Sequence, residues 1–185
     1  FEIFHYPSTM EATGIILSGG KSSRMNNQDK AWLPYEGEPL ICRAIKRISF
    51  QVSQILVSKN NADPRYDRLP YACIRDLNAK FDGPLAGILA CSNHVSSPLV
   101  LVIPCDTPKV PKNLKSILLP HLEEADVAIP SHSGVCQPLF MLAKTSILSS
   151  IAPYLASGGR SVKGWLQSLS FVQVDFISQE PFKNI

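Results

Sequence analysis

Apolar and polar positions along this chain follow two rhythms. Short apolar or alternating runs at residues 14–17, 54–58, 71–75, 99–103, 127–129, 136–141 and 171–175 have strand length, and stretches of helical period lie between them. Within 39–48, Leu40, Ile41, Ala44, Ile45 and Ile48 fall on one helical face, with Lys46 and Arg47 outside it. Residues 84–94 predict a helix of small residues able to approach a sheet closely. Residues 112–122 and 144–157 predict two more helices, the second stopping at Gly158-Gly159. The run 99–103 is apolar at every position, which predicts a central strand buried on both faces. Alternating strands and helices predict an α/β fold: a three-layer, Rossmann-like arrangement with a mostly parallel central sheet and helices on both faces. The chain shows no repeat, linker or low-complexity tract.

Composition narrows the class. A chain of 185 residues, 45% hydrophobic and 18% charged, is long enough for one substantial core and is not of disordered type. The formal charge of +3, with no Lys/Arg cluster, argues against a nucleic-acid partner. Five cysteines at 42, 73, 91, 105 and 136 form no C-x-x-C pair, which suits a reducing, cytoplasmic compartment and core packing rather than disulfides or zinc. Cys105, beside an aspartate, is the one ambiguous thiol. No run of 18 apolar residues offers a membrane span. Residues 1–12 lack the pattern of a signal peptide and read as an N-terminal extension, natural or added, with Met10 a candidate start.

The chemistry concentrates at Leu17-Ser18-Gly19-Gly20-Lys21-Ser22-Ser23-Arg24-Met25, followed by Lys30. Two adjacent glycines and three cations just after a strand describe a loop whose backbone N–H groups can cradle a polyphosphate. Two familiar phosphate loops are excluded. Walker A spacing before Gly20-Lys21-Ser22 requires glycine where Ile15 stands, and G-x-G-x-x-G fails because Gly19 and Gly20 are adjacent with no third glycine before Gly37. Asp76 and Asp106 each follow a predicted strand, so both can meet the loop at the carboxyl edge of a parallel sheet. On the residues alone, Lys21 is equally a solvated lysine, Asp76 equally a strand-end cap and Asp106 equally a turn former.

The loop and four further blocks, in order, resemble the molybdenum cofactor guanylyltransferases (molybdopterin guanine dinucleotide synthases). These blocks are Gly37-Glu38-Pro39-Leu40, Asp76 with Gly83-Pro84-Leu85-Ala86-Gly87, Pro104-Cys105-Asp106-Thr107-Pro108, and Gln137-Pro138-Leu139-Phe140. The likeness runs from about residue 14 to 176 and implies a single nucleotidyltransferase domain over 13–185. It further implies GMP transfer from GTP to the terminal phosphate of molybdopterin, with Mg²⁺ as cofactor. By this resemblance Leu17, Ser18 and Gly19 hold guanine, Gly20 belongs to the same nucleotide-binding segment, Lys21, Arg24 and Lys30 meet phosphates, Asp76 contacts nucleotide, and Asp106 binds both nucleotide and magnesium. The block Leu17-Ser18-Gly19-Gly20 favours GTP over CTP, since cytidylyl-transferring relatives carry L-A-A-G there. Molybdoenzymes or a cofactor-delivery protein are the partners implied, with no nucleic acid or membrane.

The departures from that pattern are Ser18 for alanine, Asn26 for glycine, and Ser58 in place of an asparagine, with Asn60 and Asn61 close behind. The family continues past residues 182–185 with an Asn-Thr-Pro segment and a helix. Arg160, in Gly159-Arg160-Ser161-Val162, is read either as an acceptor-phosphate contact or as compensation of a helix end. Trp32 and Trp165 are read as packing residues, with Trp165 an alternative shelf for a pterin. The four histidines show no ligand spacing and are read as surface residues. Two rival functions stay open: a CTP- or sugar-phosphate-directed transferase of the same fold, and a carrier of molybdopterin or nucleotide without turnover.

Overall fold

Every residue of the first strand, Ala12–Leu17 (β1), is buried, and its side chains divide alternately between two cores. That division sets the plan of the whole molecule. The computed structural model describes residues 10–19, 29–75 and 83–185. After β1 come a hairpin of β2 (Pro34–Tyr35) and β3 (Glu38–Pro39), then α1 (Leu40–Ile48), β4 (Gln54–Lys59), β5 (Ala72–Arg75) and α2 (Pro84–Ser92). The second half holds β6 (Leu99–Pro104), α3 (Leu114–Leu118), β7 (Val127–His132), β8 (Val135–Cys136), β9 (Met141–Lys144), α4 (Ile151–Ala156), α5 (Val162–Leu166) and β10 (Phe171–Asp175).

Among the described residues the main sheet runs β10-β7-β9-β6-β1-β4-β5, with β8 paired to β7. β9 is antiparallel to β6 and β7, and β8 is antiparallel to β7; the other pairings are parallel. The mostly parallel sheet with helices on both faces is therefore present, with the fully buried β6 at its centre. One core packs Ile16, Leu101 and Ile103 against Ile41, Ala44, Ile45 and Ile48 of α1. The opposite core packs Ile15, Leu17, Val100 and Val102 against α2, α4 and α5.

Prolines account for most differences from the sequence reading. The run 136–141 is two strands, because Pro138 has no N–H for a ladder and the chain turns there, with Phe140 N donating to Gln137 O at 3.0 Å. The helix expected at 112–122 is α only over Leu114–Leu118 and then a 3-10 turn carrying Pro120. In the 144–157 stretch Lys144 closes β9 and a 3-10 turn follows. The α-helix starts only at Ile151, which leaves Pro153 in the first turn where its missing N–H does no harm. The β2–β3 hairpin and α5 were not anticipated. The hairpin turns on Glu36 (φ 50°) and Gly37 (φ 82°), the conformation a two-residue hairpin loop demands.

Trp165 is fully buried and donates its Nε1 hydrogen to Ser150 Oγ at 2.9 Å. Its ring faces are in the core, so the alternative of a pterin shelf is withdrawn.

Helix α2 lies close enough to the sheet that a Cβ at Gly87 would stand 2.4 Å from Ser58 Oγ and 3.4 Å from Leu17 Cδ2. We expect Gly87→Ala to destabilise the fold by about 1–3 kcal/mol through overpacking. Adding Ser58→Gly, which removes the obstructing atom, should recover part of the loss in chemical denaturation. Equal stability of Gly87→Ala and the parent would show that the approach is not tight.

Candidate active site

The site is built where β1 ends between its two parallel neighbours. Leu17 is in register with Pro104 on one side and Ser58 on the other. The pairing continues past the strand: Ser18 N donates to Ser58 O at 2.9 Å, and Cys105 N donates to Leu17 O at 3.0 Å. The start of the glycine loop is thus fixed to the carboxyl ends of both β4 and β6. At Gly19 a Cβ would lie 2.3 Å from side-chain atoms of Asn60, so the amide of Asn60 packs on the glycine backbone. Only glycine fits there without moving Asn60.

Lys30 arrives from a separate piece of chain. It opens a 3-10 turn (Lys30–Trp32) whose cap is Asp29, with Asp29 Oδ1 accepting from Ala31 N at 3.0 Å. Asp106 follows the end of β6. Lys30 Nζ stands 3.7 Å from Asp106 Oδ2, their side chains 35% and 22% exposed. At that distance the pair is a charge contact rather than a hydrogen bond. A cation and a carboxylate distant in sequence therefore meet at the sheet edge beside Leu17, Ser18 and Gly19, within reach of solvent.

The stretch 182–185 lies against this side of the site. Phe182 is buried in edge-to-face contact with Phe140 and Phe176, both centroids at 5.0 Å. From that anchor Ile185 N donates to Asp106 O at 3.1 Å, and Lys30 Nζ donates to Ile185 O at 3.0 Å. Glu180 steadies the same stretch from outside, with Lys109 at 2.7 Å and Lys183 at 2.9 Å. Those two ammonium groups hold its carboxyl down to about 2.

Of the residues singled out by sequence, Leu17, Ser18, Gly19, Lys30 and Asp106 come together. Gly20, Lys21, Arg24 and Asp76 lie outside the described residues. Burial, followed by the Asp106 charge, pushes the Cys105 thiol up to about 12. It carries no thiolate near neutral pH and is no nucleophile. Arg160 donates to Leu155 O at 2.8 Å and Gly159 O at 2.6 Å, so it caps the end of α4, as the helix-end reading had it. Sequence reasoning missed Tyr66, which is 1% exposed and joins Ser18 to Asp29. It also missed the packing of Phe182. A tyrosine in the polar stretch after β4 was a signal; its partners were not.

The MobA-like NTP transferase domain matches residues 14–172. The molybdenum cofactor guanylyltransferase of Burkholderia ambifaria (strain MC40-6) is 37% identical over 183 residues, covering 93% of this chain and 89% of that protein. The molybdenum cofactor guanylyltransferase of Shewanella piezotolerans is 33% identical over 173 residues, covering 92% and 85%. Among solved structures, the molybdopterin-guanine dinucleotide biosynthesis protein A of Archaeoglobus fulgidus superposes with a TM-score of 0.74 at 23% identity, covering 94% of this chain and 91% of that one. That likeness speaks for the fold, a Rossmann-like nucleotidyltransferase fold. The sequence relationship carries further: the chain belongs to the molybdenum cofactor guanylyltransferase family, within the MobA-like NTP transferases.

Proposed function

We propose that this protein transfers GMP from GTP to the terminal phosphate of molybdopterin, forming molybdopterin guanine dinucleotide and releasing pyrophosphate. The meeting of Lys30 and Asp106 beside the start of the glycine loop supports this reading most directly. An oxygen of the acceptor phosphate attacks the α-phosphorus of GTP. The bond from that phosphorus to the bridging oxygen breaks, and its electron pair leaves with pyrophosphate. Charge accumulates on the departing oxygens, and Lys30 is placed to offset it as a point charge. Backbone groups of Leu17, Ser18 and Gly19 hold the guanine, Gly20 contacts the nucleotide, Lys21 and Arg24 add positive charge along the triphosphate, and Asp76 contacts the nucleotide. Catalysis then rests on orientation and charge stabilisation without a covalent enzyme intermediate.

Asp106 suits a magnesium ion. Mg²⁺ takes one or two carboxylates and completes its shell with water and phosphate oxygens. A partly exposed carboxylate at a strand end, held 3.7 Å from the Lys30 ammonium, suits that role. When bound there the ion supplies Lewis-acid polarisation of the phosphate oxygens. Recipient molybdoenzymes or a delivery protein would take the product onward. No helix among the described residues is long and apolar enough to cross a membrane.

The test is a mass spectrum of the products from GTP, magnesium and molybdopterin, run alongside CTP and UTP. A guanine pterin dinucleotide with pyrophosphate is the expected outcome. A product formed preferentially from CTP or UTP would move the protein to another donor, and tight binding of molybdopterin without product would make it a carrier.

A further inference from the structure

Ser18, just after β1, and Asp29, the cap of the turn that bears Lys30, both touch one side chain that belongs to neither segment. Tyr66 sits on the 3-10 turn Pro64–Arg68 between β4 and β5. Its hydroxyl donates to Asp29 Oδ2 at 2.7 Å and is also hydrogen-bonded to Ser18 Oγ. A phenol has one proton, and an ionised carboxylate can only accept it. The Ser18 hydroxyl must therefore donate to the Tyr66 oxygen. Proton donation runs in one direction, from Ser18 through Tyr66 to Asp29. Asp29 also accepts from Asn61 Nδ2 at 2.9 Å and from Ala31 N at 3.0 Å, so the carboxylate that receives the chain is the cap of the turn bearing Lys30.

The Tyr66 ring is as firmly held as its hydroxyl. Trp32 stands edge-on at 5.2 Å and the Lys59 ammonium lies 5.2 Å from the ring centroid. Burial pushes the phenol well above its ordinary range, so it remains a neutral donor at physiological pH. The serine that departs from the family's alanine acquires a purpose here, since an alanine at 18 could not reach the phenol.

Resting on the guanylyltransferase reading above, we propose that Tyr66 is a positioning residue. It clamps Ser18 at the guanine end of the loop to Asp29 at the Lys30 end, and so sets where the Lys30 charge falls along the bound triphosphate. Tyr66 touches no reacting atom. It acts through Asp29 on Lys30.

Tyr66→Phe keeps the ring and removes both bonds. Because small misplacement of a charge-bearing group is costly in rate, kcat should fall roughly 10- to 100-fold. The KM for GTP should move less than about threefold, since the loop's own backbone contacts remain. Calorimetric GTP-binding stoichiometry separates this from partial unfolding: it should stay at the parent value. Asp29→Ala removes the same link from its other end and carries the test should Tyr66→Phe fold poorly. Combining the two should cost little more than the worse single change, as expected when both act through one link.

Parent-like kcat in either variant, a stoichiometry that falls in step with kcat, or losses that multiply in the double variant would each overturn the clamp. If the parent protein itself forms no dinucleotide from GTP and molybdopterin, the functional reading fails instead, and the two failures are distinct.

Discussion

Asp106→Asn is expected to lower pyrophosphate release from GTP and molybdopterin by about a thousandfold or more while leaving the unfolding transition where it was. Removing a single preorganised stabiliser of transition-state charge typically costs 100- to 1000-fold in rate. Asp106 is asked to do more, since on the proposed reading it would hold the magnesium ion, and it faces Lys30 across 3.7 Å. The effect on folding is small for the same geometric reason. A loose, partly exposed ion pair contributes about 0–1 kcal/mol, and asparagine preserves the shape of the strand end. The backbone carbonyl of residue 106 that accepts from Ile185 N is untouched. Measuring the magnesium dependence of the residual activity isolates the role: the asparagine variant should need far more of the ion for half-maximal rate. An unchanged rate, or a lowered rate with an unchanged magnesium requirement, would remove Asp106 from the metal site.

The parts of this molecule legible in its sequence are those governed by local pattern. β1 and β6 announce themselves because strands buried on both faces carry apolar side chains at nearly every position, and the structure places β6 centrally for that reason. The face of α1 is equally plain, since Leu40, Ile41, Ala44, Ile45 and Ile48 are the residues it buries. Three boundaries went astray at Pro120, Pro138 and Pro153, where apolar periodicity was followed through residues that cannot donate a backbone hydrogen bond.

The contacts that complete the site are of another kind. Tyr66 lies 48 residues from Ser18 and 37 from Asp29, and its hydroxyl finds them only because β1 and β4 are adjacent. Phe182 closes on Phe140 and Phe176 across the sheet, which brings Ile185 to Lys30. No local period encodes such pairings; they follow from the order of strands. Lys30 and Asp106 stood out as candidates by motif, whereas what holds them in place emerged only with the tertiary structure.

Lys30→Ala is expected to lower kcat/KM for GTP by roughly 100- to 1000-fold, or about 2.7–4 kcal/mol of transition-state stabilisation. The ammonium is already localised without substrate: the Asp29 cap fixes its turn, Asp106 lies at 3.7 Å, and Ile185 O accepts from it at 3.0 Å. Little reorganisation is then needed when charge develops on the pyrophosphate oxygens. Lys30→Arg tests whether charge alone suffices. A guanidinium is broader and presents its donors as a planar fork, so in a place shaped for a point charge it should restore only part of the activity. The magnesium requirement should persist in both variants, because the carboxylate of Asp106 remains. If alanine at 30 left kcat/KM within about threefold of the parent, the triphosphate would have to be neutralised from elsewhere, and the pairing of Lys30 with Asp106 would be structural rather than catalytic.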